Sequence, residues 1–177
     1  QMCIRDRAEK VGCRVIFNPP KYPCAAELDT RRVTRIVRNL LVNAIEHSEG
    51  NPVVITTDSS ETAVALRVSD HGVGMSPEVT SRVFDRFYRA DPARARTTGG
   101  TGLGLAISLE DARLSGGTLQ AWGKTGYGSS FLLTLPRRHD MEMGASPLDV
   151  TDYVEPTLDT YVPPQSTPQQ PCLLYTS

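Results

Sequence analysis

Residues 99–105 read Gly99-Gly100-Thr101-Gly102-Leu103-Gly104-Leu105 and run directly into a helix expected over residues 102–114. Glycines at a helix start present bare N–H groups at the positive end of the helix dipole, a combination suited to phosphate. Immediately upstream, residues 89–101 (RADPARARTTGGT) show no hydrophobic periodicity and read as a mobile loop. Downstream, Gly116-Gly117 ends the helix, and strands are expected at 118–122 and 129–135 around a turn at 123–128.

Two rival phosphate motifs fail. A dinucleotide-binding fingerprint needs a strand before its glycines, and a polar loop stands there instead. Gly123-Lys124-Thr125 has the end of a P-loop, but the first glycine of that motif falls on Thr118.

Further out, apolar residues at 33, 36, 37, 40, 41, 44 and 45 follow helical spacing over 29–48, with Asp29 or Thr30 available as the N-cap. Asn39, Asn43 and His47 recur every four residues on that helix and form one polar ridge. Asn is a poor interior helix residue, so two aligned amides either bond neighbouring loops or serve a ligand. Two strand-like runs, 52–57 and 62–69, flank a hairpin signal at 58–61. Asp70-His71-Gly72-Val73-Gly74 follows. Alone it is an ordinary turn, yet an Asp at a strand end can accept from an exocyclic amine while glycines admit a ligand to the backbone. Pro77 opens a short helix to about residue 84, and residues 11–17 read as a strand ended by Asn18-Pro19-Pro20. The sum is a two-layer α/β (α+β) sandwich: a mixed, mostly antiparallel sheet of about five strands with three helices on one face.

Composition agrees with one packed domain. The chain has 177 residues, 39% hydrophobic and 22% charged, and a formal net charge of −1 gives no argument for nucleic acid. No apolar run approaches the roughly 18 residues that span a bilayer. The opening Gln-Met-Cys-Ile-Arg-Asp-Arg and closing Cys-Leu-Leu-Tyr-Thr-Ser back-translate to near reverse complements that resemble a transposon mosaic end used in sequencing libraries. Residues 1–7 and 172–177 are therefore expected to be translated adapter, set aside from fold reasoning, on a fragment truncated upstream. Residues 8–138 make the domain. Residues 139–171, rich in Pro and Thr, are expected to be disordered. Cys13 and Cys24 then remain as free thiols at a spacing matching no zinc pattern.

Taken in order, RIVRNLLVNAIEHS (35–48), DHGVG (70–74), FDRFYR (84–89), GGTGLGLAI (99–107) and GYGSSF (126–131) resemble the N box, first glycine box, F box, second glycine box and last glycine box of the ATP-binding domain of bacterial sensor histidine kinases, a Bergerat fold. The stretches 35–48 and 86–114 look particularly like the MtrB-type kinases of actinobacteria.

The resemblance implies ATP and Mg²⁺ as cofactors. On it, Asn43 holds Mg²⁺ with Asn39 beside it, His47 packs on adenine, and Asp70 reads the adenine amine with Gly72 and Gly74 around it. Arg89 contacts the terminal phosphate, and the 101–105 stretch (Thr101, Gly102, Leu103, Gly104 and Leu105) cradles phosphate oxygens. Phe84 and Phe87 anchor a lid at 90–101 and belong mostly to the core. Glu46 departs from the pattern, standing where many relatives carry a phosphate-facing lysine; it either turns outward or weakens ATP binding.

No histidine here (His47, His71, His139) has the sequence context of a phosphoacceptor. The resemblance thus places the acceptor on the kinase's own dimerisation domain, upstream of this fragment, and implies a response regulator as the next partner. It makes the fragment a monomeric cytoplasmic domain, inactive alone, of a protein held in the cell membrane. Related gyrase- and chaperone-type ATPases, and anti-sigma-factor serine kinases, carry a glutamate base four residues before the metal-binding asparagine. Here that position is Asn39, an amide that cannot take the proton.

Overall fold

The computed structural model describes residues 3–20, 23–90 and 101–152. Helix α1 (Ile4–Val11) and strand β1 (Val15–Asn18) come first, followed by helix α2 (Thr30–His47) and the antiparallel pair β2 (Val53–Ser59) and β3 (Ala63–Asp70). Helix α3 (Pro77–Arg82), helix α4 (Gly104–Leu114) and the hairpin β4 (Thr118–Lys124) and β5 (Gly128–Pro136) complete the order. The sheet runs β1-β2-β3-β5-β4, parallel only between β1 and β2.

Alternation decides the two faces. Val64, Leu66 and Val68 of β3 stand opposite Leu135, Leu133 and Phe131 of β5 and turn toward the helices. Ile36, Leu40, Leu41, Ala44 and Ile45 of α2 meet them, all buried. Each fully buried Ile or Leu contributes about 1.5–3 kcal/mol, so this layer holds the domain together. Asp29 starts α2 as expected, its carboxylate accepting from the N–H groups of Arg31 and Arg32 at 3.1 and 3.2 Å.

Two differences from the sequence reading concern the ends. The strand expected from residue 11 begins at Val15, because Val11 closes α1. Gly12 terminates that helix in the left-handed region (φ +73), with Cys13 N–H reaching Ala8 O at 2.9 Å. Helix α1 spans the boundary drawn after residue 7, and Ile4 packs against the core.

The outer face of the sheet carries Arg67, Thr134 and Leu132, each at most 2% exposed. Residues 144–152, without helix or strand, cross it as a strap. Gly144 N–H donates to Thr62 Oγ1 (3.2 Å), Thr134 and Ser146 share a hydroxyl bond (3.0 Å), and Arg67 Nη1 donates to Asp149 O (2.6 Å). Burial lowers the Arg67 pKa, with Asp152 and Asp149 opposing that shift.

Candidate functional site

Asp70 ends β3 opposite Ser129 of β5 and is 1% exposed. Its Oδ1 accepts from Gly72 N–H at 3.1 Å and its Oδ2 from the Ser129 hydroxyl at 2.5 Å. Burial raises its pKa, against the lowering by these two donors and by the nearby His47 and His71. A carboxylate has about four lone-pair positions, so Asp70 retains acceptor capacity after both bonds.

The turn after Asp70 is fitted to its surroundings by what its glycines lack. A Cβ on Gly72 would lie 1.8 Å from His47 O, and one on Gly74 (φ +70) would lie 2.0 Å from Lys124 O. Asn51 Nδ2 donates to His71 O at 2.9 Å, and His71 Nδ1 sits 2.8 Å from Pro52 O. A carbonyl only accepts, so Nδ1 carries the proton. The 70–74 turn is thus locked to the C-terminal end of α2, where His47 lies.

The second glycine stretch is held differently. Phe87 N–H donates to Gly102 O at 3.0 Å, with Phe87 (φ 64) and Gly102 (φ +70) both left-handed. Leu103 is the N-cap of α4 and caps no N–H with its side chain, so the first-turn donors of α4 are available to an anion.

Along α2, the ridge meets α4 rung by rung. Arg35 forms a two-point bond to Asp111, Nε to Oδ2 at 2.6 Å and Nη2 to Oδ1 at 2.5 Å. One turn on, Asn39 Nδ2 donates to Gly104 O and to Ser108 Oγ, both at 3.0 Å. Both Asn39 N–H groups are thereby engaged, and Oδ1 is what it offers a ligand. One turn further, Asn43 is half-buried and its amide has no protein partner among the described residues. Among the described residues no cluster of His, Cys, Asp or Glu forms a metal cage.

Glu46 pairs with Arg7 of α1, both half-buried, so its charge has a counter-ion. Phe84 meets the expectation of a core residue, stacking edge-on against Phe131 with centroids 6.2 Å apart. Phe87 does not: it is 72% exposed, because its left-handed backbone and bond to Gly102 turn the ring outward. Thr101 is exposed, Leu105 packs against the core, and Arg89 is half-buried at the edge of the expected lid, of which 91–100 lie outside the described residues. Sequence reasoning missed Ser129 and Ser108. Ser129 carried a signal, since it lies within GYGSSF (126–131), the last of the glycine boxes.

Residues 28–139 match the family described as Histidine kinase-, DNA gyrase B-, and HSP90-like ATPase. The chain is 48% identical over 162 residues to the sensor histidine kinase MtrB of Mycolicibacterium paratuberculosis, covering 92% of this chain and 29% of that protein. It therefore spans under a third of the curated relative's length. Among solved structures, the catalytic domain of histidine kinase ThkA, in a nucleotide-free form, matches with a TM-score of 0.66 at 24% identity, covering 77% of this chain and 87% of that one. Full-length ShkA in complex with AMPPNP matches with a TM-score of 0.60 at 26% identity, covering 80% and 28%. No helix among the described residues is long and apolar enough to cross a membrane.

Proposed function

The chain belongs to the Histidine kinase-, DNA gyrase B-, and HSP90-like ATPase family, and from that membership we propose that it is the ATP-binding catalytic domain of a two-component sensor histidine kinase. The observation that carries this reading is the α2 ridge: Asn39 tied to the first turn of α4, and Asn43, one turn on, with an amide that has no protein partner among the described residues. An ATP-hydrolysing relative needs a base at the position of Asn39, and an amide has no basic electron pair to offer.

In this reading Asp70 accepts the adenine amine through its remaining lone pairs, and His47 packs on the ring. The N–H groups at 102–105 hold phosphate oxygens at the positive end of α4. Asn43 Oδ1 holds Mg²⁺, with Asn39 Oδ1 beside it, and Arg89 neutralises the terminal phosphate. Mg-ATP supplies the transferable phosphoryl group and the bridging cation; what the protein adds is position and charge complementarity. The acceptor is a histidine on a dimerisation domain of the whole kinase, which passes the group to a response regulator. The whole kinase sits in the cell membrane with this domain on the cytoplasmic side.

Titration calorimetry of ADP into the chain, with and without Mg²⁺ and alongside Asn43→Ala, tests the proposal. Saturable, Mg²⁺-dependent binding that falls at least roughly tenfold in the variant, as for loss of one hydrogen-bonded ligand group, is the expected result. A folded chain that binds no ADP overturns it. Incubated alone with Mg-ATP, the chain acquires no acid-labile phosphate.

A further inference from the structure

The contact between α2 and α4 carries a line of polar ties alongside the apolar residues the two helices give to the core. Gly104, Ser108, Asp111 and Ala112 of α4, spaced by four, three and one, face α2, and Asp111 is only 4% exposed. A carboxylate so placed is strongly unfavourable unless paired. Its partner is Arg35, whose flat guanidinium delivers two parallel bonds, 76 residues away in sequence. Such a fork fixes distance and direction together, which an apolar contact does not.

The ladder has a direction. Moving along α2 from Arg35 to Asn39 to Asn43, the partners on α4 move backward, from Asp111 to Ser108 and Gly104. Asn39 already reaches Gly104, the first residue of α4, so the next rung, Asn43, lies just beyond the open N-terminus of that helix, and among the described residues it has no protein bond. We propose that Arg35 and Asp111 form a positioning clamp that sets the register of α4 against α2, and so places the phosphate-binding N–H groups at 102–105 relative to Asn43. This rests on the nucleotide-binding reading above and adds to it a pair of residues that touch no part of the nucleotide. Phosphate affinity depends on the clamp because oriented donors lose effect steeply with small displacements, while adenine is held from the other end of α2, at the 70–74 turn.

The test compares Mg-ADP with adenosine on the wild type, Arg35→Ala, Arg35→Lys, Asp111→Leu and the double variant Arg35→Ala/Asp111→Leu. Mg-ADP is followed by calorimetry and adenosine by ligand-observed NMR. Arg35→Ala strands the buried Asp111 carboxylate and is expected to melt lower, whereas Arg35→Lys keeps a charge beside it and the double variant removes the stranded one; thermal melting verifies that these two stay folded. Each single variant is expected to lose roughly tenfold in Mg-ADP affinity, with Lys no better than about half-restored because it lacks the fork. Adenosine affinity stays within about twofold, and the double variant is no worse than either single, as for two groups acting as one unit. Equal losses for adenosine and Mg-ADP, additive losses in the double variant, or unchanged Mg-ADP affinity each overturn the clamp. A wild type that binds adenosine but not Mg-ADP, or neither, overturns the nucleotide reading itself, so the two failures are told apart.

Discussion

The two glycine turns of the site are held by opposite means. At 70–74 the backbone is wedged against other backbone: the carbonyls of His47 and Lys124 occupy the space where side chains on Gly72 and Gly74 would begin. At 102–104 the fit is looser: a Cβ on Gly102 (φ +70) would stand 3.0 Å from the Phe87 backbone, and one on Gly104 would make only an ordinary 3.6 Å contact with the Asn39 amide. Position there comes from polar ties, Phe87 to Gly102, Asn39 to Gly104, and Arg35 to Asp111. The first turn is rigid because it is filled, the second because it is tethered. A filled site fails abruptly when altered, and a tethered one by degrees.

Gly72→Ala attacks the filled turn directly and carries the largest expected effect. With nothing but backbone to yield, the 70–74 turn must leave α2, lowering stability by about 3 kcal/mol and abolishing ADP binding. A melting curve within about a degree of the wild type's would show that the turn is not wedged.

Asp70→Asn sharpens the contrast by separating stability from function. ADP affinity is expected to fall roughly ten- to a hundredfold, since a charge-assisted bond of about 1.5–3 kcal/mol is lost. The ADP-free protein should nevertheless melt a few degrees higher at neutral pH. Burial raises the Asp70 pKa, so the folded form binds the proton more readily than the unfolded form. The stability from this group is complete below the ordinary Asp range and is lost as pH climbs through the raised value. The gap between variant and wild type therefore closes toward about pH 4, where unfolded Asp itself protonates. Scanning calorimetry from neutral to acid pH reads it directly, and a gap that widens on acidification reverses the sign.

Gly104→Ala probes the tethered turn and carries the smallest effect. Stability changes by no more than about 0.5 kcal/mol, because Ala is the better helix former and its methyl has room. ADP affinity falls only severalfold. A change as large as that of Gly72→Ala would erase the distinction between the two turns.

Much of this was legible beforehand, for a definite reason. Helix α2, the β2–β3 hairpin and the glycine boxes repeat their signals over short spans, so local periodicity and turn chemistry disclose them. Asp70 and Asn43 fell on those signals. The Arg35–Asp111 pair was hidden because its members belong to separate elements, and Asp111 stands beside Glu110 and Arg113 with nothing local to single it out. Phe87 misled because ring size argues for burial, while its backbone conformation, set by a bond to Gly102 across the expected lid, turns it outward. The strap was invisible because its composition is that of a solvated tail; a few matched bonds to Thr62, Thr134 and Arg67 tie it down.

That strap also divides the molecule into layers that open separately. Peeling it back uncovers Leu132 but returns the Arg67 guanidinium to water, whose hydration offsets the bonds given up, whereas opening the helix side exposes a whole apolar layer, Phe131 and Ile36 among it, with no such return. The backbone amides of 144–152 should therefore trade hydrogen for deuterium through a local excursion that leaves β3 and β5 protected. A protease would find its way into this domain first through the layer that looks, from its charges, the most tightly fastened.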